Sequence, residues 1–120
     1  MPRPAIIAAV LVAGSALAGP AWSETRCGWL QNPTPGNYFL VDSENSWMAS
    51  AQGGFQARGF DKVPDISERE YVRTNGNYGY TCACMNVTVD RQARRITSIE
   101  SVSQKRLEDC RRDPKLPKPN

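Results

Sequence analysis

Cysteine, histidine and carboxylate carry most covalent, metal-binding and acid–base chemistry, and this chain of 120 residues distributes them narrowly. Histidine is absent, so Ser-His-Asp and Cys-His catalysis and imidazole-based metal sites lie outside what the chain can do alone. The four cysteines are Cys27, Cys82, Cys84 and Cys110. Thiolate zinc sites usually pair two Cys-x-x-Cys knuckles, whereas this spacing gives one Cys-x-Cys and two distant singles, so no metal site is assigned. An even count behind an export signal reads as two disulfides. A Cys82–Cys84 bridge would close too short a loop, which leaves Cys27 and Cys110 each paired with one of the two, in either order. In the chain-entropy account each such bridge contributes roughly 3.5–4 kcal/mol. Asp61, Asp65, Glu68 and Glu70 are the candidates for a carboxylate pair that hydrolyses a glycosidic bond. They fall in a loop-like stretch where carboxylates are ordinarily solvated. No catalytic residue and no cofactor is therefore predicted, and carboxylate-dependent hydrolysis stands as the enzymatic alternative.

Two of the cysteines sit in the stretch that organises the rest, Thr74 to Asp90. Asn75-Gly76 is a tight-turn signal, since both residues tolerate positive φ. From Thr81 the residues alternate: Ala83, Met85, Val87 and Val89 face one way, and Cys82, Cys84, Asn86 and Thr88 the other. The pattern predicts a central strand with both cysteines on one side, suited to bridges reaching two different parts of the chain. Gly79, between Tyr78 and Tyr80, leaves room for a neighbouring aromatic ring or backbone.

The amino-terminal residues read as a secretory signal. Arg3 is followed by an apolar stretch, Ala5 to Ala18, and by two small-residue cleavage patterns. Cleavage is expected after Ser23, with Ala18 as the alternative. The stretch is short for a membrane span, which needs roughly 20 residues, and no second apolar segment follows. Residues 1–23 are thus predicted as a signal peptide and 24–120 as one periplasmic or secreted domain, with a frayed tail from about residue 114. Only 16 residues of 24–120 are Leu, Ile, Val or Phe, so aromatic side chains and disulfides must make up for a small core.

Along the mature chain, Trp29 is expected to be a core plug held by its neighbouring disulfide. Gln31 to Asn37 reads as an irregular loop, with two prolines and a glycine. Tyr38–Asp42 and Trp47–Ala51 read as a hairpin around Ser43-Glu44-Asn45-Ser46, and Gly53-Gly54 as a bulge. Ser67 to Tyr71 is expected to hold one helical turn capped by Asp65 or Ser67. Tyr71–Thr74 is predicted as a short strand. Arg91–Arg94 is predicted as a turn and Arg95–Val102 as a returning strand, bulged because Ile96 and Ile99 are out of step. Ser103–Arg112 is expected to form a short helix. The fold class is mainly β: a small antiparallel sheet or barrel-like domain, disulfide-stapled, with a short C-terminal helix.

Charge is uneven: Arg91 to Asn120 holds 9 basic and 4 acidic residues, against 5 basic and 8 acidic from Glu24 to Asp90. A basic segment suits an anionic partner. No aromatic follows Tyr80, so the stacking groups of single-strand recognition are missing and nucleic acid is not the expected partner. Arg26-Cys27-Gly28-Trp29, and Gly76-Asn77-Tyr78-Gly79-Tyr80 followed by Cys82 and Cys84, resemble a family of small exported bacterial proteins, the domain of unknown function 4087. The likeness runs through the Cys110 region and implies compartment and size, with no catalytic residues. In size and compartment the chain also resembles the small periplasmic lysozyme inhibitors, without their loop motifs. The predicted function is an exported, non-enzymatic binding protein, of inhibitor or immunity type, acting on another protein in the periplasm or outside the cell. The contact candidates are Trp47, Phe55, Tyr78, Arg94 and Arg95. The alternative is an envelope structural or anionic-glycan-binding protein that uses the basic C-terminal segment.

Overall fold

The computed structural model describes residues 22–119, and the predicted signal peptide lies almost wholly outside them. Six strands form one antiparallel-dominated sheet: β1 (Glu24–Thr34), β2 (Asn37–Val41), β3 (Ser46–Ser50), β4 (Tyr71–Asn75), β5 (Tyr78–Asp90) and β6 (Arg95–Lys105). A 3₁₀ turn (Phe60–Lys62) and one helix, α1 (Leu107–Arg111), complete it. β5 is central, as its alternation predicts. One edge pairs with β1, from Glu24↔Val87 to Asn32↔Gly79. The other pairs first with β4 and then with β6. β1 also pairs with β2, β2 with β3, and β3 touches β6 in parallel at Met48↔Arg95, so the sheet closes into a small barrel. Where β3 and β6 diverge, Gln56–Arg58 fills the gap: Ala57 N donates to Ala49 O at 2.9 Å and Arg58 N to Thr97 O at 3.0 Å.

The two faces of β5 make two cores. Ala83, Met85 and Val87 point inward with Leu30, Leu40, Trp47, Ala49, Ile96 and Ile99, all fully buried, each large aliphatic worth about 1.5–3 kcal/mol of burial. Cys82 points outward and joins Trp29 and Cys110 in a second cluster, flanked by Val41, Tyr80, Leu107 and Leu116. The bridges are Cys27–Cys84 and Cys82–Cys110, one of the two pairings left open by spacing. Trp29 is 2 % exposed, the plug expected of it.

Tight backbone approaches explain two glycines. A Cβ on Gly79 would collide with the Val72 carbonyl, and one on Gly28 with the Val41 carbonyl. The Asn75-Gly76 signal delivers its hairpin, with Gly76 at φ +59°. Register shifts at Asn86/Val87 and Thr88/Val89 bulge the β5–β6 ladder, which is how both Ile96 and Ile99 reach the interior.

Several expectations are corrected. Gln31 to Thr34, predicted as loop, belongs to β1, since Pro33 falls near the strand's end where a ladder donor is not needed. The helical turn at Ser67–Tyr71 is absent, because Glu70 takes φ +50°, and the short turn forms instead at Phe60–Lys62. Ser103–Lys105 continues β6, so the helix starts only at Leu107. Past residue 114, where fraying is predicted, the chain folds back so that Pro117 O accepts from Trp29 Nε1 at 2.9 Å.

Candidate functional site

Strand register sorts the polar and aromatic side chains onto the two ends of the barrel. The starts of β1 and β3 and the ends of β2 and β5 share one end. There Arg26, 8 % exposed, donates to Asp42 at 2.6 Å and to Glu44 at 2.8 Å, and lies 3.1 Å from Glu24. Arg91 bridges the same Glu24 and Glu44 at 3.3 and 3.0 Å. Both guanidinium groups lie over Trp47, at 4.4 and 5.9 Å from the ring centroid. Asp42 also accepts the backbone N–H groups of Glu44 and Asn45, each at 2.9 Å. Burial alone would raise the Asp42 pKa. The Asn45 backbone N–H, Arg26 and the Glu44 backbone N–H outweigh it and hold the carboxyl below its usual range. Glu24, Asp42 and Glu44 each already have a cationic partner, so this end works as a lock on the barrel. The sequence reading ends a strand at Asp42, makes Ser43-Glu44-Asn45-Ser46 a turn, and gives neither acid a partner. A basic residue beside the first cysteine, with two acids at a hairpin tip, was the available signal.

The opposite end gathers aromatics. Tyr38 at the start of β2 meets Phe60 edge to face, with centroids 4.9 Å apart and planes at 72°. Tyr71 opens β4, with its hydroxyl donating to Asn77 O at 2.8 Å, and Arg73 sits 5.9 Å from its centroid. Tyr78 opens β5. All four rings are half-buried, and Tyr38, Phe60 and Tyr71 pack against the inner core. Burial raises the Tyr38 and Tyr71 pKa values; Asp65 and Tyr78 raise the first further, and Tyr38 the second. Asp65 and Tyr78 thus act in the same direction on both Tyr38 and Tyr71, while Arg73 opposes them at Tyr71. Asp65 itself is held below its usual range by the hydroxyl and backbone N–H of Ser67.

The sequence-predicted contacts divide. Tyr78 stands in the aromatic rim. Phe55, in the loop after β3, is half-buried beneath Arg95, whose guanidinium carbon lies 4.7 Å from the ring centroid. Arg94 and Arg95 are exposed, Arg94 at φ +56° closing the turn before β6. Trp47 is corrected: it is 0 % exposed inside the barrel and can touch no partner. Its place in a hairpin suggested exposure, but it falls on the inward register. Tyr38, Phe60 and Tyr71 were missed as contacts because composition marks them only as aromatic.

Of the acidic residues, Glu70 Oε1 accepts the Leu107 N–H at 2.8 Å and so starts α1. Asp65 and Glu68 line one open groove with Arg69 and Gln104. A glycosidase needs one carboxyl kept protonated near neutral pH. The Asp65 shift runs the other way. All four cysteines are bridged. Among the described residues, no three His, Cys, Asp or Glu side chains gather as metal ligands, and no helix is long and apolar enough to cross a membrane.

A family model described as "Protein of unknown function (DUF4087)" matches residues 21–117. No curated protein and no solved structure matches the chain.

Proposed function

The chain belongs to the DUF4087 family, and we propose that it acts as an exported, non-enzymatic binding protein whose partner is another protein. The observation carrying this reading is the rim of Tyr38, Phe60, Tyr71 and Tyr78 on a disulfide-locked barrel. Half-buried tyrosines offer large, amphipathic contact area at small entropic cost, because packing already fixes them. The rigid scaffold beneath reduces the ordering cost of association. Inhibition or neutralisation of the partner is the role that fits such a pre-formed surface. Export is supported by the signal-like first 23 residues of the sequence and by the disulfides.

Capture from periplasmic extract tests it. The tagged mature chain is compared with a Phe60→Ser, Tyr78→Ala double variant whose melting curve confirms folding. A stoichiometric protein held by the first and lost by the second is expected. Equal capture by both would sink the rim assignment.

Exposed Arg94, Arg95, Arg106, Arg111 and Arg112 favour a second reading, an anionic envelope glycan as partner. Exposed charges are screened by salt. Binding to purified envelope glycan that falls steeply with ionic strength supports this reading, and salt-insensitive binding removes it.

A further inference from the structure

The two bridges differ in what surrounds them. Cys82 and Cys110 are 3 % and 4 % exposed, packed among Trp29, Leu107 and Leu116. Cys27 is exposed and Cys84 half-buried, on the outer face of the sheet. Their Cα atoms face each other across the β1–β5 ladder at 4.0 Å. That ladder runs from Glu24↔Val87 to Asn32↔Gly79, on both sides of the bridge. Backbone pairing therefore keeps the two strands in register whether or not the sulfurs are joined. Cys82–Cys110 ties α1 to β5, where no ladder backs the bridge.

Neighbours on β6 suit a departing Cys84 thiolate. Ser103 lies directly opposite Cys84, and Lys105 opposite Cys82; both are exposed. Directly opposed residues share a face, and a diagonal neighbour stands about 7–8 Å away, within reach of a long side chain. Lys105 takes part in none of the ion pairs among the described residues. A hydroxyl donor and an ammonium favour thiolate over thiol, and a stabilised thiolate leaves faster. Cys82 is two residues from Cys84 on the same face, about 7 Å along an extended strand. Bridged cysteines bring their Cβ atoms to about 3.8 Å, so a freed Cys84 returns to Cys27 and leaves the buried bridge intact.

We propose that Cys27–Cys84 is a thiol–disulfide exchange site whose substrate is a dithiol, while Cys82–Cys110 is the permanent structural bridge. The site is separate from the aromatic rim and does not depend on it. One thiolate of the dithiol attacks Cys27 Sγ, the more open of the two sulfurs' residues. A mixed disulfide forms there as the Cys27–Cys84 bond breaks, and Cys84 leaves as a thiolate that takes up a proton. The second thiolate of the dithiol then attacks its own partner sulfur, and Cys27 leaves in turn. The dithiol loses two electrons and becomes a disulfide; the bridge gains them and becomes two thiols. A monothiol stops at the mixed disulfide on Cys27 until a second thiol arrives.

The test uses the oxidised mature chain without urea, with reduced glutathione as the monothiol probe and dithiothreitol as the dithiol. Reactions are stopped with iodoacetamide at timed intervals, and each cysteine is read by peptide mass. Cys27–Cys84 is expected to open about tenfold faster than Cys82–Cys110, since access governs exchange. Glutathione should be found on Cys27 with Cys84 alkylated, and dithiothreitol should leave both alkylated with Cys82–Cys110 closed. Removing the thiol and admitting air should restore the Cys27–Cys84 pairing. Lys105→Gln is expected to slow opening about threefold at low salt, by removing the cation near the leaving thiolate. Opening of both bridges together, or of Cys82–Cys110 first, overturns the proposal, because reduction then follows unfolding of the domain. Glutathione on Cys84, scrambled pairing after re-oxidation, or an unchanged rate in Lys105→Gln overturns the assigned roles of the two cysteines and their β6 neighbours.

Discussion

Replacing Arg26 with methionine removes one charge from the locked end and keeps most of the side chain's bulk over Trp47. In the intact protein Arg26 and Asp42 are 8 % and 5 % exposed and meet at 2.6 Å. Breaking a buried pair by removing one partner leaves an uncompensated charge and costs about 3–5 kcal/mol. Asp42 keeps two backbone donors after the change, which places the expected loss at the lower end, about 3 kcal/mol. Small domains have only about 5–15 kcal/mol to lose. The assay is urea unfolding of the oxidised protein at pH 7, with both bridges verified by mass. A cycle with Asp42→Asn should return a coupling of about 2 kcal/mol, since neighbours in one network are non-additive. The pH dependence gives an independent sign. Asp42 has its pKa lowered on folding, so its contribution is complete above the ordinary carboxylate value and is lost as pH falls through the folded one. Arg26→Met should therefore flatten the acid limb of the stability curve. A loss under about 1 kcal/mol with an unchanged acid limb would refute the reasoning, since that is the worth of an exposed ion pair.

Other expectations follow from the same geometry. Removing the second bridge as Cys82→Ala, Cys110→Ala opens a loop with a sequence separation of 28; the expected loss is about 3.5 kcal/mol, read as a lower urea midpoint. Gly79→Ala drives a methyl into the Val72 carbonyl and should cost about 1–3 kcal/mol, with amide exchange accelerated in the β4–β5 hairpin first. Tyr38 and Tyr71 have raised pKa values, so stability is complete below about pH 10 and falls as pH climbs through their folded values. In a phenolate absorbance titration Tyr38→Phe and Tyr71→Phe should each delete part of a late-ionising fraction, and a curve without such a fraction would contradict the packing.

The β5 strand was legible because its signals agree: a turn pair, strict alternation and two cysteines on one side all demand the same register. Strand β1 was not, because its first half buries residues on both faces, Trp29 outward and Leu30 inward. Two prolines and a glycine at its end then read as loop. The cysteine pairing stayed open since spacing alone cannot choose between Cys82 and Cys84; the register Cys27↔Cys84 decides it by placing those two side by side. At the candidate site, Tyr78 was visible through its turn. Its companions Tyr38, Phe60 and Tyr71 come from three other segments and meet only after the barrel closes. Trp47 failed for a local reason, a one-residue shift in hairpin phase being enough to turn a side chain from solvent to core. The tail's return to Trp29 has no local signal, as its partner lies at the start of the domain.

Hydrogen exchange on the captured complex tests the central claim most directly. If the aromatic rim is the protein-binding surface, partner addition should slow exchange at Asn37–Tyr38, Phe60–Lys62 and Tyr71–Tyr78, and leave Arg91–Arg112 as in the free chain. Protection confined to Arg91–Arg112, with the rim unchanged, would contradict it and assign binding to the basic segment.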